Sequence, residues 1–406
     1  MRKEFSLLAL DQAVSSLTTL ALSVNAARNT SVADFGVFAV GYAIFWVLLG
    51  LSRSFLGEVS LIEGHEKLST SRNWRAFSVS TSCLGGALFS AALFVTCALI
   101  TANNSIWISL AFALVTPFAI IADAIRYIAF AEEKRVDALR VDVLWLAGAI
   151  IAPPVLSSVG VQSVTSAILG WGLAAAIGAF AALVQRPELR PQFSGLPRWI
   201  RSRWPAGSRF AADFAAASGI GQTAAALVPV VASLEVAAGL RAGYVIIGPL
   251  NVAYSAMIVF LIPRLRNAGG SGALPRPAPA VLGFFSVLCG LYAIAIYLVP
   301  DEIGRVLLGP SWALGSAVAP FLTAAFVFIT VAQVIVQVMR LRDSAGLVVR
   351  VRVIVSAAQA VSILVGAAYF GVQGAACGSA LAALVSIGPW VIALLRSQRR
   401  IKGGGS

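Results

Sequence analysis

Long apolar stretches separated by short polar segments run through the whole chain. A bilayer core of about 30 Å needs roughly 20 apolar residues of helix, and twelve stretches meet that requirement. In the first half they cover residues 5–28, 35–62, 77–100, 106–130, 143–159 and 164–184. In the second half they cover residues 210–232, 239–263, 281–299, 313–339, 347–370 and 375–395. The pattern predicts an all-α, polytopic membrane protein with about twelve transmembrane helices.

The longest polar interruption divides the chain into two halves. We expect an N-terminal lobe at 1–185, a basic cytoplasmic linker at 186–208, a C-terminal lobe at 209–402 and a short glycine–serine linker at 403–406. Arginines are concentrated in the middle linker, and placing it in the cytoplasm puts nearly all other loop arginines and lysines on the same side. The charge pattern therefore predicts an even number of helices, both termini in the cytoplasm and no cleavable signal peptide.

Short sequence matches indicate that the second half repeats the first. Asp11 and Asp213 lie near the starts of the first helix of each half, and Pro117-Phe118 matches Pro320-Phe321. Gly160-Val161-Gln162 matches Gly371-Val372-Gln373 before the last helix of each half. Because each half has six helices, both start on the same face. We therefore expect two parallel lobes, related by a pseudo-two-fold axis along the membrane normal, with the substrate between them.

Composition narrows the class of function. The 406 residues are 59% hydrophobic and 12% charged, which excludes a water-soluble protein. The net charge of +13 is spread over loops in the manner of positive-inside topology, so nucleic-acid binding is not expected. The four cysteines lie in apolar stretches and the single histidine, His65, lies in a loop, so we expect no metal site and no cofactor. The loops are too short for a catalytic domain, and we expect no enzyme. The acidic and basic residues at 132–142 are interpreted as a solvated connector.

Six ionisable residues lie inside the predicted helices, where each costs roughly 2.5–3.5 kcal/mol on insertion scales. They are Asp11, Arg53, Glu58, Asp123, Arg126 and Asp213. Most fall in the cytoplasmic half of the membrane and form a charged layer that serves as a substrate site or as a gate between the lobes. Arg53 has no acid on its own helix face, so it either bridges to Asp11 or Asp123 or binds an anionic ligand. Asp123 and Arg126 are spaced to pair on one helix face. Asp213 is either a gate or an end residue near the interface.

Several motifs resemble one branch of a transporter superfamily. They are Leu10-Asp11-Gln12-Ala13, Ala27-Arg28, Asp34-Phe35-Gly36, Gly50-Leu51-Ser52-Arg53, Gly57-Glu58, Arg126-Tyr127, Phe130-Ala131, Asp142 and Gly248-Pro249-Leu250-Asn251. The chain thereby resembles the polysaccharide flippase branch of the multidrug/oligosaccharidyl-lipid/polysaccharide exporter superfamily. The resemblance implies two lobes that open alternately to each side of a bacterial plasma membrane and carry a polyprenyl-linked sugar.

The resemblance also implies which residues hold the cargo. Arginines in the cavity would bind its phosphates, with Arg53 first, then Arg126, Arg28 and Arg241, and with Asn251 nearby. An Arg53→Ala variant is expected to lose function and still fold. The implied partners are the polyprenyl-linked sugar, membrane lipids and envelope glycosyltransferases or polymerases.

Three functions remain open at this stage. The first is a flippase for lipid-linked saccharides in envelope assembly, and unpaired arginines in the cavity would favour it. The second is a cation-coupled drug or metabolite exporter in which Asp11 serves as a proton or sodium site, and a cavity lined by acids and aromatics would favour it. The third is a non-transporting scaffold for envelope enzymes, which a closed, apolar interface would favour.

Overall fold

The fold is seen in a computed structural model that describes residues 2–61, 73–102, 104–267, 277–340 and 345–403. These residues contain helices and no strand. His65 and residues 404–406, discussed above from sequence, lie outside the described ranges. The all-α prediction is confirmed.

Each half contributes six long helices, labelled here in chain order. The first half contains α1 (Arg2–Arg28), α2 (Val32–Ser52, continued by a π-helical segment Arg53–Glu58), α3 (Trp74–Ile100), α4 (Ile106–Ala131), α5 (Arg135–Ser158) and α6 (Ser163–Gln185). The second half contains α7 (Leu196–Phe214, a π-helical segment Ala215–Gly219 and Ile220–Val231), α8 (Leu234–Ile246 and Gly248–Asn267), α9 (Pro277–Tyr297), α10 (Trp312–Arg340), α11 (345–370) and α12 (372–403). Three short elements, Pro187–Leu189, Asp301–Leu308 and Gly309–Ser311, lie between long helices.

Most of the twelve helices meet the criteria for a membrane span. Nine helices of the described ranges are long and apolar enough, and one of the nine, Gly346–Ser397, contains both α11 and α12. The two segments of α8, bent by 43° at their junction, qualify together. The more polar α1 completes the twelve. We call the face with the 186–195 segment the linker face and the other the opposite face.

Two helices begin eight or more residues earlier than the sequence predicts. Helix α5 begins at Arg135, before the predicted 143, because its charged first turns are paired or buried: Arg140 binds Asp137 at 3.1 Å and Asp142 is almost fully buried. The interpretation of residues 132–142 as a solvated connector is therefore wrong. Helix α7 begins at Leu196, before the predicted 210, so about half of the predicted linker is helical.

Local sequence explains several helix ends. The Ser31 side chain caps α2 by accepting a hydrogen bond from the Asp34 amide, and Ser233 caps α8 in the same way through Val236. Gly160 precedes α6 with φ +89°, and Gly371 precedes α12 with φ +62°. Such positive φ angles favour glycine, so these two matched glycines perform the same role at equivalent points of the two halves.

Gly371 turns the chain back sharply, so α11 and α12 form a tight hairpin. The Ser362 hydroxyl donates to the carbonyl of Gly378 at 2.8 Å, a contact that a straight helix could not make between residues 16 apart. Nearer the turn, the backbones of Gly366 and Gly374 are in direct contact, with no room for a side chain on either residue. The hairpin accounts for the final two spans.

The two halves meet mainly through α2. On the linker face, Gly50 of α2 packs under the ring of Phe214 in α7, and Gly207 of α7 contacts Phe55 in the π-helical segment of α2. Toward the opposite face, Gly36 of α2 packs against the backbone of Leu234 in α8. Otherwise α1–α6 pack mostly with one another, as do α7–α12. The two-lobe arrangement follows from this division.

We expect a single methyl group at Gly366 to destabilise the protein. A Gly366→Ala side chain has to push α11 away from α12, and such overpacking costs about 1–3 kcal/mol. Gly388→Ala is the matched control, because Gly388 is exposed in α12 with open space around it. The control should melt at the same temperature or slightly higher, since alanine favours helix over glycine by up to about 1 kcal/mol. Equal melting temperatures of the two purified variants in detergent would contradict the close hairpin.

Candidate functional site

Five charged side chains meet inside the first half, in the linker-side part of the bundle. They come from four helices: Asp11 from α1, Arg53 from α2, Asp123 and Arg126 from α4, and Asp142 from α5. Three of these positions, Asp11, Asp123 and Asp142, are 2% exposed. We call these five residues the buried cluster.

Arg53 and Asp123 form the most regular pair of the buried cluster. The Nε of Arg53 donates to Oδ2 of Asp123 at 2.8 Å, and its Nη2 donates to Oδ1 at 2.7 Å. The guanidinium also lies over the ring of Trp46, 5.3 Å from its centroid. Such bidentate pairs are the strong form of the arginine–carboxylate contact. Arg53 is thus already occupied by an acid, although it borders a pocket.

Arg126 is at the centre of the buried cluster. Its Nη2 donates to Oδ2 of Asp11 at 2.9 Å, its Nε lies 3.1 Å from Oδ2 of Asp142, and its Nη1 lies 3.6 Å from Oδ1 of Asp123. Arg126 therefore pairs with Asp123 as predicted, but this is the longest of its three contacts with carboxylates. Arg126 joins α1, α4 and α5, and no part of it serves as a free cation in a cavity.

The buried cluster contains three carboxylates and two guanidinium groups. Asp11 and Asp142 both lie against the guanidinium of Arg126, yet neither Oδ1 of Asp11 nor Oδ2 of Asp142 accepts a hydrogen bond from the described residues. Two carboxylates that face each other satisfy both oxygens when they share one proton. The arrangement can therefore take up a single proton between α1 and α5.

A pocket opens beside the buried cluster, between α1, α2, α5 and α6. Aromatic rings and hydroxyl groups dominate its lining, and Arg53 and Asp142 form its charged end. Its lining residues are Ser15, Thr18, Thr19, Leu22, Tyr42, Phe45, Trp46, Leu49, Arg53, Asp142, Trp145 and Trp171. Trp145 stacks on Trp171 with ring centroids 5.2 Å apart, and its buried indole N–H has no partner in the described part of the chain. The pocket offers an acid, a free donor and several ring faces to a ligand.

Arg241 of α8 reaches across to the first half nearer the opposite face. Its guanidinium lies 3.7 Å from the ring centroid of Tyr42 in α2, and its Nη2 donates to the Ser23 hydroxyl of α1 at 2.5 Å. No described carboxylate lies within ion-pair distance of it, and its buried Nε has no hydrogen-bond partner there. Tyr42 therefore separates the pocket from an arginine that contacts the rings of Phe38 and Tyr42 and one hydroxyl group.

The second half carries a smaller cluster at a corresponding place. Asp213 of α7 binds Arg340 of α10 at 3.3 Å and Arg352 of α11 at 3.0 Å. Asp11 and Arg126 likewise lie on the first and fourth helices of their half. Asp213 thus pairs within its own lobe, whereas its neighbour Phe214 makes the contact with α2.

The other predicted residues lie apart from the buried cluster. Glu58 is half-buried and accepts a hydrogen bond from Ser54 at 3.0 Å. Arg28 is exposed at the end of α1 on the opposite face, and Asn251 is exposed just after the bend of α8. The structure does not bring these three together with Arg53.

Sequence reasoning misses the contribution of Asp142 to the site. The hydrophobic pattern places Asp142 in a loop and therefore does not predict that this residue is buried. A signal is nevertheless present, because Asp142, Trp145 and Ala149 recur at helical spacing and all three are buried.

Sequence reasoning also misses a second buried acid, Glu132, just beyond α4. It receives hydrogen bonds from Arg75 at the start of α3 and from Arg186 after α6, the latter at 2.6 Å, and lies 3.2 Å from the Lys134 ammonium. Partial burial acts to raise the pKa of Glu132, but the hydrogen bonds from Arg75 and Arg186 outweigh it and hold the pKa below its usual range. Glu132 therefore connects the linker-face ends of α3, α4 and α6.

Comparison with solved structures identifies the architecture. A multidrug resistance MATE family transporter of the MOP superfamily, in an inward-facing conformation, superposes with a TM-score of 0.68 at 13% identity and 98% coverage of both chains. This is the fold of the MATE transporters. A mutant of the Vibrio cholerae MATE transporter VcmN gives 0.66 at 12% identity over 98% of this chain and 97% of that one. A MOP superfamily transporter from Pyrococcus furiosus, whose binding pocket is described as reversed in polarity, gives 0.60 at 12% identity over 98% and 94%.

No family model matches the sequence, and no curated protein matches it. The likeness to the MATE transporters is therefore one of fold.

We expect Glu132→Gln to lower the melting temperature at neutral pH, because the amide cannot hold three cations as the carboxylate does. Since the folded-state pKa of Glu132 is depressed, its stabilisation is fully present above the unfolded value of about 4.3 and is lost as the pH falls through the folded value. The difference between the two proteins should be constant near neutral pH and shrink below about pH 4.

Glu133→Gln is the matched control, since Glu133 is its exposed neighbour. It should melt like the unmodified protein throughout. Equal losses in both variants, or a Glu132→Gln loss that persists in acid, would show that the carboxylate of Glu132 does not have this role.

Proposed function

We propose that this protein is a secondary membrane transporter that works by alternating access between its two halves and is driven by protonation of the buried cluster. The observation that carries the proposal is the charge balance of that cluster, three carboxylates against two guanidinium groups. An unbalanced charge is costly within a bilayer, and one proton on the buried cluster removes it. The linker face is expected to lie in the cytoplasm of a bacterial plasma membrane.

Protonation changes how the helices are held. Without the proton, Arg126 is attracted by both Asp11 and Asp142, from α1 and α5. With the proton, one of those attractions becomes a weaker, neutral contact, and α1 or α5 is free to move relative to α4. A bistable bundle converts such a local change into a movement of whole helices.

The pocket links the proton to the cargo. Asp142 belongs both to the buried cluster and to the lining of the pocket, and Arg53 belongs to both as well. An organic cation seated among the aromatic rings would be attracted by the unprotonated acid and released when the acid takes up a proton. Of the three functions open from the sequence, a lining with one acid and five aromatic rings favours the cation-coupled exporter. Tyr42 and Arg241 make the interface polar at this level, which does not favour a scaffold.

The test uses conformation as the readout, so it needs no known cargo. Spin labels at Val159 and Leu298, exposed residues at the opposite-face ends of α5 and α9, report the separation of the two halves in nanodiscs. We expect the distance distribution to change when the pH is lowered from neutral to acidic, because a proton on the buried cluster weakens the attraction of Arg126 for α1 or α5. An Asp142→Asn variant, whose cluster is neutral at every pH, should give one distribution throughout.

Asp137→Asn is the matched control, because Asp137 lies on the same helix and binds only Arg140 among the described residues. It should keep the response to pH. A distribution that is insensitive to pH in the unmodified protein would refute proton coupling, and a response to sodium at constant pH would assign the site to that ion instead.

A lipid-linked saccharide is the second candidate cargo, and one observation favours it. Arg241 lies between the halves with no described carboxylate partner, so it can take up a phosphate when the opposite face opens. Arg53 and Arg126 are less suited to this role, because their guanidinium groups already bind acids. The expectation that Arg53→Ala folds normally is also revised, since the change leaves Asp123 buried with one distant partner.

Translocation in proteoliposomes tests this cargo. With a fluorescent polyprenyl-diphosphate disaccharide as the probe, Arg241→Gln should slow transfer at least about tenfold, the equivalent of losing one charge-assisted contact of about 1.5–3 kcal/mol. Arg305→Gln, which removes an exposed arginine from the same face, should not slow it. No transfer of the probe by the unmodified protein would exclude the lipid-linked cargo and leave the proton-coupled mechanism standing. Equal transfer rates in all three proteins would exclude Arg241 as the ligand of the phosphate.

A further inference from the structure

The first part of α7, residues 196–209, has two faces of opposite character. Its packed face carries Leu196, Trp199, Arg203 and Gly207: Trp199 lies against Phe77 of α3 with ring centroids 5.8 Å apart, and Gly207 fits onto Phe55 of α2. Counting 100° per residue, these four positions occupy an arc of about 80°. The segment is thus fixed against the first half by one face only.

The other face carries three exposed arginines. Arg198, Arg201 and Arg209 fall within an arc of about 80° on the side away from the packed face. None of the three forms an ion pair with a carboxylate of the described ranges. Glu188 is the single acid between Arg186 and Arg209, and it is bound to Arg186 at 3.0 Å. We call Arg198, Arg201 and Arg209 the arginine stripe.

The stripe lies at the depth of the membrane surface. Phe77 is in the first turn of α3, and Phe55 lies within about two turns of the linker-face end of α2, so the segment that packs on both runs beside the ends of spanning helices. Trp204, midway between the packed face and the stripe, contacts Phe55 with one part of its ring, with centroids 5.6 Å apart, and is 60% exposed. A tryptophan at such a position is typical of the interface between headgroups and acyl chains.

We propose that the arginine stripe binds the phosphate headgroups of anionic phospholipids in the leaflet on the linker face. Charge complementarity identifies the ligand: three unpaired cations at headgroup depth, with an aromatic anchor beside them, match a negatively charged lipid surface. The site does not depend on the proposed transport cycle, because neither the buried cluster nor the pocket contributes to it.

The position of the site gives lipid binding a consequence for the fold. The same segment continues into the π-helical residues 215–219 of α7, and its packed face contacts the π-helical segment of α2. Lipid that binds the arginine stripe therefore also keeps α7 in contact with α2, and so one half in contact with the other. Anionic lipid is therefore expected to stabilise the linker-face junction of the lobes.

Native mass spectrometry of the purified protein tests the site, with phosphatidylglycerol and phosphatidylcholine as the probes. The unmodified protein should retain phosphatidylglycerol preferentially. A triple variant, Arg198→Gln, Arg201→Gln and Arg209→Gln, should lose at least about tenfold in affinity for it, since each arginine near a lipid surface contributes about 1 kcal/mol, or about fivefold. Replacing the same three by lysine should restore most of the preference.

The matched control removes equal charge from elsewhere on the linker side, through Arg190→Gln, Arg350→Gln and Arg396→Gln, all exposed. It should keep the preference for phosphatidylglycerol. The proposal is overturned if the stripe variant retains the lipid as well as the control does, or if soluble glycerol phosphate competes as strongly as the lipid. Melting temperatures in phosphatidylcholine alone should be equal for the two triple variants, and a loss confined to the stripe variant would mean that these arginines stabilise the fold instead.

Discussion

The first half depends on the contacts between one buried arginine and the acids that surround it. Arg126 connects α1, α4 and α5, and through Asp123 it is coupled to Arg53 of α2. Burying so many charges is costly, and they are tolerated because each guanidinium has carboxylate partners. Since the acids outnumber the arginines, the arrangement is balanced only when another positive charge joins it. The same charge imbalance, which is unfavourable for the fold, is the basis of the proton-driven cycle that we propose.

Both halves carry a cluster of charged residues on corresponding helices, but the two clusters differ in burial and in charge. In the first half, the acid of the first helix is buried with Arg126 and a second acid from α5. In the second half, Asp213 meets Arg340 and Arg352 at a site that is partly exposed. Both clusters join the first, fourth and fifth helices of their half, but the fifth helix contributes the acid Asp142 in the first half and the base Arg352 in the second. Glu132 also joins the linker-face ends of α3, α4 and α6, so these three helices are expected to move as one body.

Much of this architecture could be predicted from the sequence, because spans and topology depend on local hydrophobicity and on loop charge. The positions of α1–α4, the break near Gly371 and the exceptional charges in the helices all follow from such patterns. The partners of those charges do not, since Arg53 and Asp123 are 70 residues apart and which helices face each other depends on packing. Asp142 escapes prediction for a related reason: its turn looks polar in sequence, and only its contact with Arg126 makes it an interior position.

The hairpin of α11 and α12 also bears on how the protein enters the membrane. Its opposite-face turn is a single glycine flanked by apolar residues and one glutamine, with no charged group near it. Little polar chain has to be carried through the hydrocarbon layer to complete this part of the molecule. The two helices can therefore leave the translocon as one preassembled unit, with their glycine contacts formed before they meet the rest of the bundle.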